Sequence, residues 1–230
     1  MTPLDEKLAE RTVLDLSRRF GLRWLDHRIG DLRLRFAEVR DVDPCVRALY
    51  PQCLVDHGDA PVWMISWPAA FGLAEFLVHD QGLDGGAVLE LGCGTAVVGV
   101  VAAAAGARVC CTDYDEIALA VARHNVLANG LDGVRLSRLD WYDGEVGERF
   151  RCVVGSEITY HEVAFEPLLG VLEGAVALGG VVVLSDIFRR QTDKFLALAE
   201  TRGWRVETHR RVVHLASESH AIRIALLRRS

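Results

Sequence analysis

The chain has 230 residues, 50% hydrophobic and 25% charged, with 26 basic against 32 acidic side chains and a formal net charge of −6. That length and apolar content support one domain with a substantial core and exclude a disordered chain. No apolar run reaches the roughly 18 residues that a membrane span needs, and the first ten residues lack the apolar stretch of a secretory signal. By segment, residues 1–80 carry 10 basic and 13 acidic groups, 81–150 carry 5 and 10, and 151–230 carry 11 and 9. None has the strong positive field of a protein that grips phosphate backbones, so nucleic acid is not the expected partner. The cysteines at 45, 53, 93, 110, 111 and 152 form no Cys-x-x-Cys pair and have no histidine at ligand spacing. A reduced, cytoplasmic chain without a metal site is expected.

Along the chain, apolar residues at 4, 8, 13, 16 and 20 predict a helix over 4–20. Runs at 22–27 and 32–39 around Gly30-Asp31 predict a hairpin. Asp41 and Asp43 before Pro44 predict a short helix to Tyr50. A polar loop with Pro51, Asp56, Gly58, Asp59 and Pro61 leads to the segment VWMISWP and an apolar helix over 69–79. From there strands and helices alternate: strands at 87–91, 107–113, 134–140, 150–156 and 179–186, helices up to Gly106 and over 116–129, 161–177 and 190–202. Runs at 204–215 and 220–228 are joined by a short turn and must pair antiparallel. The pattern predicts an α/β fold, Rossmann-like and doubly wound, with a mostly parallel seven-stranded sheet ending in an antiparallel hairpin. Residues 1–60 form a small helix-and-hairpin extension, and 61–230 the main domain.

Chemistry concentrates where strands end. Glu90-Leu91-Gly92-Cys93-Gly94-Thr95 places a glycine turn between the first strand of the main domain and its helix. There backbone can approach a ligand and the helix offers free N–H groups. Asp113 ends the next strand, where a carboxylate can take both hydroxyls of a ribose. The dinucleotide pattern Gly-x-Gly-x-x-Gly fails because position 97 is Val. Glu90 at a buried strand end would repel a pyrophosphate and welcome an ammonium group. A ribose and a positive amine together describe S-adenosylmethionine rather than NAD. Asp140 and Trp141 follow the third strand and read either as an adenine contact or as a turn cap beside a core indole. Glu157 follows the fourth strand, three residues before Tyr160.

The motifs ELGCGT, CTDYDE, LDWYD and SEITYH, in that order and spacing, resemble the class I, seven-β-strand S-adenosylmethionine-dependent methyltransferases. The resemblance is closest to the branch that contains many protein-lysine methyltransferases (methyltransferase family 16), and it covers about residues 60–215. It implies that Glu90, Gly92 and Gly94 line the methionine end of the cofactor. It places Asp113 at the ribose, Asp140 and Trp141 at the adenine and Trp67 over the pocket, with Cys93, Thr95, Tyr114 and Ser156 as further cofactor-binding residues. Glu157 and Tyr160 stand at the Asp-x-x-Tyr motif and become the catalytic pair. Glu157 would orient the acceptor amine and accept a hydrogen bond from it, while Tyr160 fixes its angle. Ala96 stands where a third glycine is usual, and Glu157 where an Asp is usual.

The expected activity is methyl transfer to an amine, a protein lysine first. A small-molecule amine, or a non-catalytic cofactor-binding module on the same fold, stands as the alternative. Enzymes that methylate base amines carry Asn/Asp-Pro-Pro-Tyr after strand four, and Ser-Glu-Ile-Thr-Tyr has no proline there. His161 and His124 read as structural or exposed. Arg189-Arg190 reads as a solvated helix start, with an anionic-substrate contact as the sharper possibility.

Overall fold

In a computed structural model, residues 1–54, 61–81, 85–143, 145–215 and 217–229 are described. Asp56, Gly58 and Asp59 of the expected loop, and Ala216 of the last turn, lie outside them. The N-terminal part comprises β1 (Thr2–Pro3), α1 (Glu6–Phe20), β2 (Leu22–Ile29), β3 (Leu32–Val39) and α2 (Val42–Leu49). The main domain follows with α3 (Pro68–Phe76), β4 (Ala87–Leu91), α4 (Val97–Ala104), β5 (Arg108–Asp113), α5 (Glu116–Ala128) and β6 (Arg135–Arg138). It continues with β7 (Phe150–Ser156), α6 (Phe165–Ala175), β8 (Val176–Asp186), α7 (Arg190–Thr201), β9 (Trp204–Leu215) and β10 (Glu218–Arg229).

The main sheet runs β1-β6-β5-β4-β7-β8-β10-β9, and β2 and β3 form a separate hairpin. Pairing is parallel from β6 through β8, whereas β10 runs antiparallel to both β8 and β9. The α/β fold is therefore the Rossmann-like one expected from the alternation. The sheet has one strand more than the seven expected, because Thr2 and Pro3 pair with Arg138 and Ser137 at its edge. Two polar-edge residues carry no strand periodicity, so this strand leaves no mark in the sequence.

Local boundaries have identifiable causes. α1 starts at Glu6 rather than Leu4 because Asp5 caps it, its Oδ1 accepting from Lys7 N at 3.0 Å and Leu8 N at 3.1 Å. Asp41 makes no side-chain cap bond to α2; its carboxylate accepts from Arg40 at 3.2 and 3.3 Å instead. The helix expected over 161–177 opens as a 3₁₀ turn, Glu162–Ala164, and becomes α-helical only from Phe165. Val176 already belongs to β8.

The sheet is covered on both faces. One face buries Val98, Val100 and Val101 of α4 with Phe71 and Leu73 of α3, and Leu34 and Phe36 of the hairpin join them. The other buries Leu168, Leu169 and Leu172 of α6 with Phe195 of α7. The extension shares its core with the main domain, since Leu16, Phe20, Val39 and Val46 pack with Trp63, Ala118 and Val121. Among the described residues, no helix is long and apolar enough to cross a membrane. Strand order reverses between β5-β4 on one side and β7-β8 on the other, and ligands in open α/β sheets bind beyond strand ends at such a reversal.

Candidate active site

At that reversal lies a cleft of ≈ 530 Å³. Every residue named above for the cofactor or for catalysis lines it: Trp67, Glu90, Gly92, Cys93, Gly94, Thr95, Asp113, Tyr114, Asp140, Trp141, Ser156, Glu157 and Tyr160. Residues far apart in sequence converge because most follow the carboxyl end of a parallel strand.

The floor is the turn after β4. Gly92 has φ +60, and a Cβ there would come within 2.8 Å of Ile158 Cγ2 and 3.6 Å of the Trp141 ring. Ala96 also sits in the left-handed region at φ 58, although it carries a side chain. For an L-residue with a Cβ that conformation costs about 1–2 kcal/mol. Thr95 Oγ1 shares a hydrogen bond with Ser66 Oγ at 3.0 Å, and Ser185 Oγ donates to Ser156 Oγ at 3.0 Å. Cys93 is buried in the turn, its N–H donating to Thr112 O at 2.9 Å.

Two buried carboxylates face this floor. Glu90 is 3% exposed, and its Oε2 accepts from Gly99 N at 2.9 Å and from the Cys111 thiol at 3.3 Å. Gly99 permits this, because a Cβ would lie 2.6 Å from that oxygen and 2.2 Å from Cys111 Sγ. Burial pushes Glu90 up to about 8, against the lowering effect of those two donors. Asp113 accepts from Gly94 N at 2.9 Å on Oδ2 and from Asp115 N at 3.1 Å on Oδ1. Burial pushes it up to about 6. Among the described residues, no cation is among the main influences on either group. Two desolvated acids without a cation, beside a glycine turn, fit a ligand with an ammonium group and hydroxyls, as S-adenosylmethionine has.

Asp140 takes the turn-capping role and stands at the edge of the cleft. Its Oδ1 accepts from Tyr142 N at 3.1 Å. Trp141 is half-buried and packs partly on the core beneath α6. Trp67 is half-buried at the start of α3, its Nε1 donating to Val62 O at 2.8 Å.

On the acceptor side, Glu157 is 6% exposed and has φ 57, a left-handed conformation held by its N–H donating to Ser185 O at 2.8 Å. Its Oε1 accepts from Ile187 N at 3.0 Å and its Oε2 from Arg189 Nε at 2.5 Å. Burial raises its pKa, and Arg189 works against that rise. Arg189 is thus half-buried and ion-paired to a cleft residue rather than simply solvated as expected; Arg190 is the exposed one. Arg189 N donates to Asp186 Oδ2 at 2.5 Å, and the buried Arg223 holds Asp186 through Nε at 2.7 Å and Nη2 at 2.9 Å. Tyr160 packs on His161 with ring centroids 4.4 Å apart, and His161 also lines the cleft. His124 lies away from it, on α5 against Trp24.

Trp63 is a lining residue that the sequence pattern does not single out. It is buried, and its Nε1 donates to Asp115 Oδ2 at 3.0 Å and to Tyr50 Oη at 3.2 Å. The signal available is that VWMISWP holds two indoles, Trp63 and Trp67, both of which line the cleft.

Residues 56–202 match the family model described as lysine methyltransferase. The chain is 34% identical over 137 residues to protein N-lysine methyltransferase METTL21A of Xenopus tropicalis, an alignment covering 56% of this chain and 62% of that one. It is 35% identical over 131 residues to EEF1A lysine methyltransferase 3 of Mus musculus, covering 54% of this chain and 56% of that one. The chain thus spans about six-tenths of the length of these curated relatives. Its fold resembles that of a putative RNA methyltransferase, PH1948, from Pyrococcus horikoshii, with a TM-score of 0.57 at 20% identity over 73% of this chain and 87% of that one. This chain belongs to the lysine methyltransferase family.

Proposed function

We propose that this chain transfers a methyl group from S-adenosylmethionine to the side-chain amine of a lysine on a protein. The observation that carries the reading is the pairing, in one cleft, of two buried carboxylates, neither with a salt bridge among the described residues, with an anchored acid and a tyrosine. Family membership and the lysine specificity for which the similar proteins are named support it.

When bound, S-adenosylmethionine supplies a methyl group already activated on a positively charged sulfur, so the chain's task is alignment and exclusion of water. Glu90 would hold the ammonium group, Asp113 the ribose hydroxyls, and Asp140 with Trp141 the adenine. The acceptor amine attacks only when neutral. A lone carboxylate beside it would favour the charged form, but Arg189 offsets the charge of Glu157. Burial against Ile158 and Ala164 then favours loss of the proton to solvent. Glu157 accepts a hydrogen bond from the amine and so directs its lone pair, and the Tyr160 ring limits the approach.

The test is incubation of the enzyme and methyl-labelled cofactor with a cell extract. A discrete labelled protein, with the label on lysine after digestion and mass spectrometry, is the expected result. Label confined to the small-molecule fraction would replace the protein acceptor with a free amine.

A further inference from the structure

We infer that Tyr50 and Asp115 are positioning residues through which the N-terminal extension sets the affinity of the cofactor half of the cleft. The inference rests on the cofactor assignment made above.

Asp115 precedes α5, and its Oδ1 caps that helix by accepting from Ile117 N at 2.8 Å. A cap needs only that one oxygen. The other, Oδ2, accepts from Tyr50 Oη at 2.5 Å and from Trp63 Nε1 at 3.0 Å, two groups that lie outside α5. Tyr50 ends α2 of the extension, and Trp63 lines the cleft. The N–H of the same Asp115 donates to Asp113 Oδ1, and Asp113 Oδ2 accepts from Gly94 N. One unbroken run of hydrogen bonds therefore links the extension, the proposed ribose carboxylate and the glycine turn. Burial and the adjacent carboxylate both raise the pKa of Tyr50, so its hydroxyl stays a donor.

A second, separate attachment meets the same turn. Asn125 is fully buried on α5; its Oδ1 accepts from Ala37 N at 2.6 Å, and its Nδ2 donates to Ala37 O at 3.1 Å and Thr95 O at 2.9 Å. The amide thus pairs with β3 of the extension as a neighbouring strand would, and holds the carbonyl of the turn with its remaining hydrogen. Glu38, also on β3, accepts from Ser66 N at 2.6 Å, and Ser66 Oγ meets Thr95 Oγ1 at 3.0 Å. Through Asn125, Ser66 and Asp115 the extension is linked to Thr95 of the glycine turn and to Asp113 beside it. Loosening it should blur where those groups stand, and binding that relies on pre-set geometry weakens accordingly.

The experiment is calorimetric titration of S-adenosylhomocysteine into the full chain and into Tyr50→Phe, Asp115→Asn and Trp63→Phe. Asn caps helices as well as Asp, so Asp115→Asn spares α5 while weakening the link to Tyr50 and Trp63. Loss of a hydrogen bond to a charged group should weaken binding by about ten-fold in Tyr50→Phe and Asp115→Asn. The double variant should be no weaker than either single one, because both break the same link. The KM for the cofactor should rise in parallel while the KM for the acceptor holds, a split that general loosening of the fold would not produce. Undiminished binding in Tyr50→Phe, which removes a single oxygen and keeps the ring, overturns the inference even if Asp115→Asn does not fold. Failure of the parent chain to bind would instead overturn the cofactor assignment.

Discussion

Arg189 Nε lies 2.5 Å from Oε2 of Glu157, two residues that follow the ends of neighbouring strands β7 and β8. Glu157 also takes the N–H of Ile187, so both of its oxygens are anchored before any acceptor arrives. The proposed acceptor-binding acid is held in place by the loop after the adjacent strand, and that loop is held by the buried Asp186–Arg223 pair.

This arrangement predicts a pH signature. Glu157 must be anionic to accept from the amine; burial raises its pKa, Asp186 adds to the rise, and Arg189 opposes it. Arg189→Ala removes the opposing cation, so the acidic limb of the pH–rate profile should move to higher pH. On that limb the rate should fall by about ten-fold for a ten-fold gain in the proton affinity of Glu157, and recover in alkaline buffer. Arg189→Lys should restore most of the original profile. A rate loss in Arg189→Ala that is equal at every pH would contradict this role.

Glu90 predicts a linkage between pH, stability and binding. Its folded pKa of about 8 exceeds the usual carboxylate value, so the folded state holds a proton that the unfolded state releases. Stability from this group is therefore present at low pH and lost as pH rises from the usual carboxylate range through about 8, by an amount on the order of 5 kcal/mol. Asp113, raised to about 6, adds a smaller fall in the same direction. Thermal melts from pH 5 to about 9 should show a shallower decline in Glu90→Gln than in the parent. Binding of an ammonium-bearing ligand should expel the Glu90 proton, which calorimetry in buffers of different ionisation enthalpy detects. Glu90→Gln should abolish that release.

Ala96 should respond to glycine in the opposite sense from its helical neighbours. It occupies a left-handed conformation, so Ala96→Gly relieves about 1 kcal/mol of strain and should be neutral or stabilising despite the lost methyl. Ala102, buried inside α4, should lose about 1 kcal/mol or more on the same change. Denaturant melts of the two variants give the comparison. An equal destabilisation at both sites would mean that the backbone at Ala96 relaxes.

Asn125→Ala should be among the most damaging single changes outside the apolar core. It leaves Ala37 N, Ala37 O and Thr95 O buried without their present partner. Each orphaned group costs about 1–3 kcal/mol, and a chemical melt should show a loss of several kcal/mol. A loss near zero would mean that the hairpin is not held as described.

The strands and the acids at their ends were legible because each acid terminates an apolar run in a regular alternation. Glu90, Asp113 and Glu157 follow the runs Ala87–Leu89, Val109–Cys111 and Val153–Gly155, and strand order alone brings those ends together. What escaped was long-range and polar. Arg189 meets Glu157 across 32 positions and Tyr50 meets Asp115 across 65, and neither pairing has a local pattern. The attachment of the extension leaves no mark in the sequence because its links to the glycine turn run through backbone atoms of Ala37 and one buried amide. Asp140 was legible only as a choice of two roles, of which the structure shows the turn cap, through Tyr142 N.

The most direct measurement is titration of S-adenosylhomocysteine into the parent chain and into Asp113→Ala. Saturable binding by the parent, weakened at least about ten-fold in the variant by loss of a charged hydrogen-bond acceptor, is the result expected. No binding by the parent at millimolar ligand, or equal binding by Asp113→Ala, would contradict the assignment of the cleft.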